Sequence, residues 1–170
     1  MPDDKHSLRS STREEYVEYI LLAALCSFGW SRDRFVEVAR TQTDAQGYDL
    51  VLACDGVMRH VQLKSSKAGG RAAHQKVNTA LASKPGGCVV WAVVDPETLH
   101  PVEYRWFGGA PDSELPDLGD RRARHTKGNA QGVKSLRDAI RIVAKSRFET
   151  LRTPQELFHR LFGDGKELEC

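Results

Sequence analysis

The chain has 170 residues, of which 40% are hydrophobic and 28% charged, and its net charge is +2. These values are typical of one globular domain that is long enough to bury a core. They exclude strongly charged, low-complexity and disulfide-scaffold classes of protein. No apolar run reaches the roughly 18 residues that a membrane span needs, and no apolar stretch of a secretory signal follows the N-terminus. We therefore expect no membrane partner.

The four cysteines are scattered along the chain at positions 26, 54, 88 and 170. They form no C-x-x-C pair and have no histidine at zinc spacing, which argues against a structural zinc site. Cys26, Cys54 and Cys88 lie in apolar segments, where a free cysteine is usually a small buried hydrophobe. The absence of a disulfide pattern indicates a reducing, cytoplasmic environment.

Local patterns predict a polar, disordered tail over residues 1–11, one domain over 12–163 and a C-terminal tail over 164–170. A first helix over 12–28 is predicted from apolar residues at helical spacing, with Ser11 or Thr12 as its cap and Gly29 as its end. The other elements follow in chain order: strands over 34–39, 48–54 and 57–64, a helix over 72–83, strands over 88–94 and 102–107, a long loop over 108–132, a helix or a strand over 135–143, and a helix that begins at Thr153-Pro154 and ends at Phe162.

The hairpin formed by the second and third strands carries the chemistry. Gln62 and Lys64 are two residues apart, so their side chains leave the same face of the strand. A tight turn at Asp55-Gly56 sets the register of the two strands and brings Asp49 opposite residue 62. Three polar side chains thus converge at the end of an apolar sheet, and burying such groups without partners is costly unless they serve a purpose.

Metal-assisted hydrolysis of a phosphodiester supplies such a purpose. Magnesium prefers hard oxygen ligands, and Asp49 offers a carboxylate oxygen while Gln62 offers an amide oxygen. Lys64 is placed to orient the attacking water and to stabilise charge in the transition state. A further acid from the first helix is either Glu18 or, one turn earlier, Glu14.

At these residues the chain resembles the PD-(D/E)xK nuclease superfamily, the fold of many restriction endonucleases and of archaeal Holliday junction resolvases. The matching features are an acid-bearing first helix, then Gly47-Tyr48-Asp49 opening a strand, then Val61 to Ser66. The resemblance covers residues 12–95. It implies an α/β fold with a restriction-endonuclease-like αβββαβ core, a mixed central sheet flanked by helices, and a C-terminal helical extension.

The resemblance implies an endonuclease that hydrolyses DNA with Mg²⁺, or with Mn²⁺ in its place. Its catalytic residues would be Asp49, Gln62, Lys64 and Glu18, with Asp49, Gln62 and Glu18 holding the metal. The family usually has Asp or Glu where this chain has Gln62, although Gln-x-Lys variants occur, among them the endonuclease subunit of heteromeric transposases. A neutral ligand binds a divalent ion less strongly. The alternative is an inactive nuclease-fold subunit that binds DNA in a defence or mobile-element system.

A basic segment follows the predicted core. Residues 121–147 contain nine Lys or Arg against one acid, Asp138, and such a segment can supply the phosphate contacts that dominate nucleic-acid affinity. The candidate DNA contacts are Arg121, Arg122, Arg124 and Lys127 in this segment, and Ser65, Lys67 and Gln75 beside the hairpin. Since the segment has few aromatic residues, duplex DNA is the expected partner rather than a stacked single strand. The alternative is a solvated basic loop. Many enzymes of the resembled fold are homodimers, but no sequence feature indicates an interface.

Overall fold

The computed structural model describes residues 8–42, 46–125, 132 and 136–165. Two α-helices lie within these residues, α1 (Ser10–Ser31) and α2 (Pro154–Phe162). The strands are β1 (Glu37–Arg40), β2 (Leu50–Cys54), β3 (Val57–Lys67), β4 (His74–Asn78), β5 (Gly87–Val94), β6 (Pro101–Gly108), β7 (Arg122–Arg124), β8 (Leu136–Ala144) and β9 (Glu149–Leu151). Short 3-10 helices occupy Thr79–Ser83 and Lys145–Arg147.

The strands form two sheets. A six-stranded sheet has the order β1-β2-β3-β5-β6-β9, and a three-stranded sheet has the order β4-β8-β7. Strands β3 and β5 are parallel, whereas the other neighbouring pairs of the central sheet are antiparallel. The chain is therefore an α/β protein with a mixed central sheet, packed in its described part with two helices.

The central strand β5 separates two hydrophobic clusters. All of its residues are buried, which confirms the buried strand predicted over 88–94. Cys88, Val90, Ala92 and Val94 pack in a cluster with side chains of α1 and α2. The alternate residues of β5 pack on the other face with β4, β8 and the loop before β7. Both described helices thus cover the same face of the sheet.

Helix α1 buries Val17, Leu21, Leu25 and Gly29, one residue per turn. It begins at Ser10, with no side-chain cap, so the predicted cap at Ser11 or Thr12 is wrong and the end of the predicted tail is helical. Gly29 does not end the helix. A Cβ at Gly29 would lie 2.4 Å from the carbonyl oxygen of Arg34, so glycine is needed there because the following segment passes close to the helix.

The connection between β3 and β5 differs most from prediction. The helix predicted over 72–83 is wrong, because residues 74–78 form β4 and only residues 79–83 are helical, as a 3-10 turn. Strand β4 pairs with β8, the segment for which the sequence allowed either a helix or a strand. A long-range strand partner has overridden the local helical preference of an alanine-containing segment. The helix in the predicted αβββαβ order is replaced by β4 and this turn.

Helix α2 begins as predicted. The Thr153 hydroxyl accepts a hydrogen bond from the Glu156 amide at 3.2 Å, Pro154 stands at the first helical position, and Gly163 follows the last turn with a φ of 70°. This helix, predicted as a C-terminal extension, is part of the core, since Leu157, Phe158, Leu161 and Phe162 pack with α1 and the central sheet.

A buried arginine closes the C-terminal end of α2. The Arg59 guanidinium donates to the carbonyl oxygens of Leu161 at 2.7 Å, Arg160 at 3.0 Å and Ala110 at 3.1 Å. Arg59 is fully buried, and burial lowers the pKa of its guanidinium. The negative end of the helix dipole compensates for this buried positive charge.

The predicted burial of the cysteines is confirmed for Cys54 and Cys88, whereas Cys26 is exposed on α1 and that prediction is wrong. The strand predicted over 102–107 is confirmed as part of β6. Among the described residues, no helix is long and apolar enough to cross a membrane.

Candidate active site

A pocket opens where the pairing of β2 with β3 ends and β3 extends further. The β2–β3 ladder ends at the pair Leu50 and Val61, but β3 runs on to Lys67, paired only with β5 on its other side. The pocket has a volume of about 760 Å³. Its walls come from the first turns of α1, the end of β1, the part of β3 that extends beyond β2 and the start of β4. Its polar lining residues include Glu14, Glu18, Arg40, Asp49, Lys64, Ser65, Gln75 and Lys76.

Asp49 directly precedes β2, at the point where β3 loses β2 as its partner. The ladder has the predicted register, since Leu50 pairs with Val61. Just beyond it, the Asp49 amide donates to the Val61 carbonyl at 2.8 Å, and the Asp49 carboxylate accepts a hydrogen bond from the Leu63 amide at 2.7 Å. Asp49 therefore binds the peptide groups on both sides of Gln62. This anchors its carboxylate at the pocket wall.

Gln62 is buried, with 4% of its surface exposed, and it is not among the residues that line the pocket. Of the three predicted hairpin residues, Asp49 and Lys64 line the pocket and Gln62 does not. Its Oε1 atom is buried and has no hydrogen-bond partner within the described part of the chain. An unsatisfied buried acceptor costs about 1–3 kcal/mol, which makes this oxygen an unusual feature beside Asp49.

Lys64 and Ser65 line the pocket on β3. Lys64 lies two residues beyond Gln62 on the same strand face. It forms no ion pair with any carboxylate of the described residues. The Ser65 hydroxyl is likewise buried without a hydrogen-bond partner in the described ranges. Lys64 thus offers the pocket an ammonium without an ion-pair partner in the described residues, and Ser65 adds an unsatisfied hydroxyl beneath the surface.

Glu18 reaches the pocket from α1. Its Oε1 lies 2.6 Å from Nε of Arg40. Burial nevertheless raises the pKa of this carboxyl, because the desolvation outweighs the attraction of Arg40, and the negative charge of Asp49 adds to the rise. The two carboxylates are therefore close enough to interact. Glu14 also lines the pocket, but it is exposed and near Arg13, so the structure favours Glu18 as the helix acid.

The oxygen donors of this site are few. Within the described ranges, no group of three or more His, Cys, Asp or Glu side chains could hold a metal ion. Two carboxylates, Asp49 and Glu18, and the unsatisfied amide oxygen of Gln62 provide a set made only of oxygens. Such a set suits a hard cation such as Mg²⁺ or Mn²⁺, which keeps several waters and needs few protein ligands.

Strand β4 adds polar side chains to the opposite wall. Gln75, a candidate DNA contact, lines the pocket, and so does His74. Sequence reasoning missed Lys76 and Arg40, which also line it. No local signal identifies them, because Lys76 lay in a predicted helix and Arg40 beyond the end of a predicted strand. Lys67 ends β3 and is not among the lining residues.

The predicted basic segment does not contribute its candidate DNA contacts to the pocket. Arg121, Arg122 and Arg124 are exposed at or beside β7, which is a strand inside the segment predicted as a loop, and none of them lines the pocket. Arg122 pairs with Asp138 at 2.7 Å. Lys127 lies outside the described residues. The small sheet connects the two regions, because β4 lines the pocket at one edge and β7 forms the other edge.

Comparisons of the chain with protein-family models, curated proteins and solved structures found no significant match. Any statement about function therefore depends on the residues of the pocket and on the chemistry they allow.

Proposed function

We propose that this chain is a metal-dependent endonuclease of the PD-(D/E)xK type, which hydrolyses DNA phosphodiester bonds through Asp49, Gln62 and Lys64, with Glu18 as a further acid. One observation carries the proposal. Asp49, Lys64 and Glu18 line a single pocket, and Asp49 binds the peptide groups on both sides of Gln62, whose buried amide oxygen has no partner among the described residues.

The residues divide the work as follows. Asp49, Glu18 and Gln62 would hold Mg²⁺ or Mn²⁺, which when bound lowers the pKa of a water and neutralises charge on the phosphate. The Lys64 ammonium orients the attacking water and stabilises the negative charge that develops on the phosphate oxygens. The hydrogen bond from the Leu63 amide keeps the Asp49 carboxylate in one orientation, so little reorganisation is needed when substrate binds.

The proposed core corresponds to α1, β1, β2, β3 and β5, with Asp49 before β2 and Lys64 in β3. A restriction-endonuclease-like fold would have a helix between the last two of these strands, whereas this chain has β4 and a 3-10 turn. The departure lies on the face away from α1 and leaves the hairpin intact. Its consequence is the small second sheet, which brings β4 side chains to the pocket.

DNA is the proposed substrate. Ser65, Gln75 and Lys76 offer donors at the pocket, and Lys67 ends the same strand as Ser65. Arg121, Arg122 and Arg124 lie on the far edge of the sheet that contains Gln75 and Lys76, and Lys127 is proposed with them from the sequence. Contacts of this kind attach a phosphate backbone without reading its bases, which suits a duplex that extends from the pocket across the small sheet.

A plasmid-nicking assay with Mg²⁺ or Mn²⁺ tests the proposal. Asp49→Asn keeps an acceptor for the Leu63 amide but removes the charge, and Lys64→Met keeps the length of the side chain but removes the ammonium. We expect each to reduce the nicking rate by roughly 100-fold or more. Glu114→Gln, at an exposed glutamate outside the pocket, is the control and should leave the rate unchanged. Cleavage that survives both pocket substitutions would contradict the proposed site.

The second candidate function is an inactive nuclease-fold subunit that only binds DNA. It is favoured by two observations, the neutral Gln62 and the ion pair that Glu18 already makes with Arg40, since both weaken the attraction for a cation. Calorimetric titration with Mn²⁺ and fluorescence anisotropy with duplex DNA separate the candidates. The enzyme should bind the metal in a manner that depends on Asp49, whereas the inactive subunit should bind DNA to the same extent with metal or with EDTA and never cut it.

A further inference from the structure

Helix α1 has a second apolar stripe that faces outward. Its members are Tyr16, Tyr19, Ala23, Cys26 and Trp30, all exposed. They follow one another at intervals of three and four residues, which is the spacing of a helix–helix seam. The buried stripe at Val17, Leu21, Leu25 and Gly29 is distinct from it. Exposed apolar residues that are grouped in one stripe indicate an interaction surface.

The stripe borders the free edge of the central sheet. The Tyr19 ring lies 4.8 Å from the Arg40 guanidinium, and the Trp30 ring lies 5.7 Å from that of Phe35. Helix and strand therefore run antiparallel, side by side. From Tyr19 to Trp30 the helix rises about 16 Å, and from Phe35 to Arg40 an extended chain covers about the same distance. The stripe and β1 make one continuous surface.

Strand β1 is an edge strand that is not protected by a neighbour in the described residues. It pairs with β2 on one side, and all four of its residues are exposed. The Thr41 amide donates to the Asp49 carbonyl. Because hydrogen-bonded residues alternate in an antiparallel ladder, residues 37 and 39 also bind β2. The peptide groups of Val36, Val38 and Arg40 therefore point outward. An edge with an apolar residue at its centre is a template for pairing with another strand.

We propose that a second copy of this chain docks on this surface, with the two β1 strands pairing antiparallel about a two-fold axis at Val38. In an antiparallel pair, the side chains of directly opposite residues point to the same side of the sheet. The two-fold axis must therefore lie between the two copies of one residue. At Val38, the outward peptide groups of positions 36, 38 and 40 all find partners. Ala23, the smallest member of the stripe, lies level with the axis.

Three arguments favour a second copy over another occupant. The axis is perpendicular to the joined sheet, so both α1 stripes lie on the same face and turn toward each other. Four aromatic side chains of this surface are exposed: Tyr16 by 52%, Tyr19 by 43%, Trp30 by 75% and Phe35 by 59%. With about 200 Å² for a whole aromatic side chain, their exposed area is roughly 450 Å² per copy. This is more than half of the ~800 Å² that each partner buries in a standard interface. Two-fold pairing also covers both copies of this edge at once and cannot propagate into a filament.

This dimer goes beyond the proposed nuclease function and does not depend on it. It has one consequence for the pocket. Arg40 lines the pocket and lies two residues, or about 7 Å, from the axis. Each copy would therefore support the strand that carries the other copy's pocket wall.

Light scattering coupled to size-exclusion chromatography tests the dimer on the full chain between about 1 and 100 µM. We expect a mass near twice the 19.0 kDa of one chain. Val38→Pro removes an outward amide and spares the bonds to β2, as proline is tolerated at sheet edges, so it should give a monomer. Val38→Thr keeps that amide and should remain a dimer. A wild-type monomer at 100 µM overturns the proposal.

A cross-linking experiment tests the register even if the proline variant does not fold. In a Cys26→Ser, Cys170→Ser background, Val38→Cys places two thiols at the axis, within the Cα separation of about 7 Å that a disulfide tolerates. Ala39→Cys places them about 8 Å apart by strand geometry and serves as the matched control. Fast oxidation to a covalent dimer only in the first variant supports the register. Equal rates, or no covalent dimer in the first variant, overturn it.

Discussion

The substitution Gln62→Glu restores the carboxylate that the resembled family usually has and probes the charge balance of this site. Gln62 is 96% buried, since 4% of its surface is exposed, and Asp49 binds the peptide groups that flank it. A carboxylate at position 62 would lie roughly 6 Å from that of Asp49, a spacing usual for neighbouring side chains of a sheet. At an effective dielectric constant of about 20, their repulsion is about 3 kcal/mol.

Without metal, this repulsion should destabilise the variant. For a chain of this size, 1 kcal/mol shifts Tm by about 2–4 °C, so Tm in EDTA should fall by roughly 6–12 °C. With Mg²⁺, the added charge becomes an attraction, and the affinity for the metal should rise by roughly 10- to 100-fold. Thermal unfolding and calorimetric titration, each with EDTA or with Mg²⁺, measure both effects.

Gln62→Met is the matched control because it keeps the length of the side chain and removes the unsatisfied oxygen. Its Tm in EDTA should equal or exceed that of the wild type, since Oε1 accepts no hydrogen bond from a described residue, and its metal affinity should fall. The reasoning is refuted if Gln62→Glu has the wild-type Tm in EDTA and the same response to Mg²⁺. In that case residue 62 lies too far from Asp49 to share a metal.

Two further predictions concern stability. Arg59→Met should lower the free energy of unfolding by at least about 3 kcal/mol, because three carbonyls at and near the end of α2 lose their donor. Urea denaturation measures this change. A loss below about 1 kcal/mol would show that water replaces the guanidinium. Glu18→Gln should stabilise the protein at neutral pH by less than about 1 kcal/mol, since the raised pKa means that ionised Glu18 is less stable in the folded state than in the unfolded chain and the pocket is open to solvent. The difference should disappear as the pH falls below the ordinary pKa of 4.5, where both states are protonated; a stability gain of the Glu18→Gln variant that persists unchanged well below that pH would contradict this explanation.

The elements that sequence reasoning predicted well are those with a local cause. The turn at Asp55-Gly56 determines the hairpin register, the Thr153-Pro154 cap determines the start of α2, and the continuous apolar run determines β5. The segment 72–83 was predicted wrongly because its structure depends on β8, a strand distant in the sequence. Propensity is a weak prior when a distant strand provides the hydrogen bonds.

The candidate site was predictable in part for the same reason. Asp49 and Lys64 come from one hairpin, and their placement in the same pocket follows from the local register. Arg40 and Lys76 could not be found, because the position of β1 and the existence of β4 depend on tertiary pairing. The burial of Gln62 was also beyond the sequence, since alternation along β3 gives the face of a side chain but not what covers that face.

The charges of the pocket bear on the choice between a nuclease and an inactive DNA-binding subunit. Four acidic residues, Glu14, Glu15, Glu18 and Asp49, and three basic ones, Arg40, Lys64 and Lys76, line it. A groove that only binds phosphate gains nothing from four carboxylates, since they repel the DNA backbone. A bound divalent cation reverses this balance, so an enzyme should bind DNA at the pocket more tightly with metal than with EDTA. The acidic residues therefore favour the metal-dependent nuclease. Because Gln62 is neutral, a metal has less negative charge to offset than it would with a third carboxylate, but the four acidic residues still call for a cation.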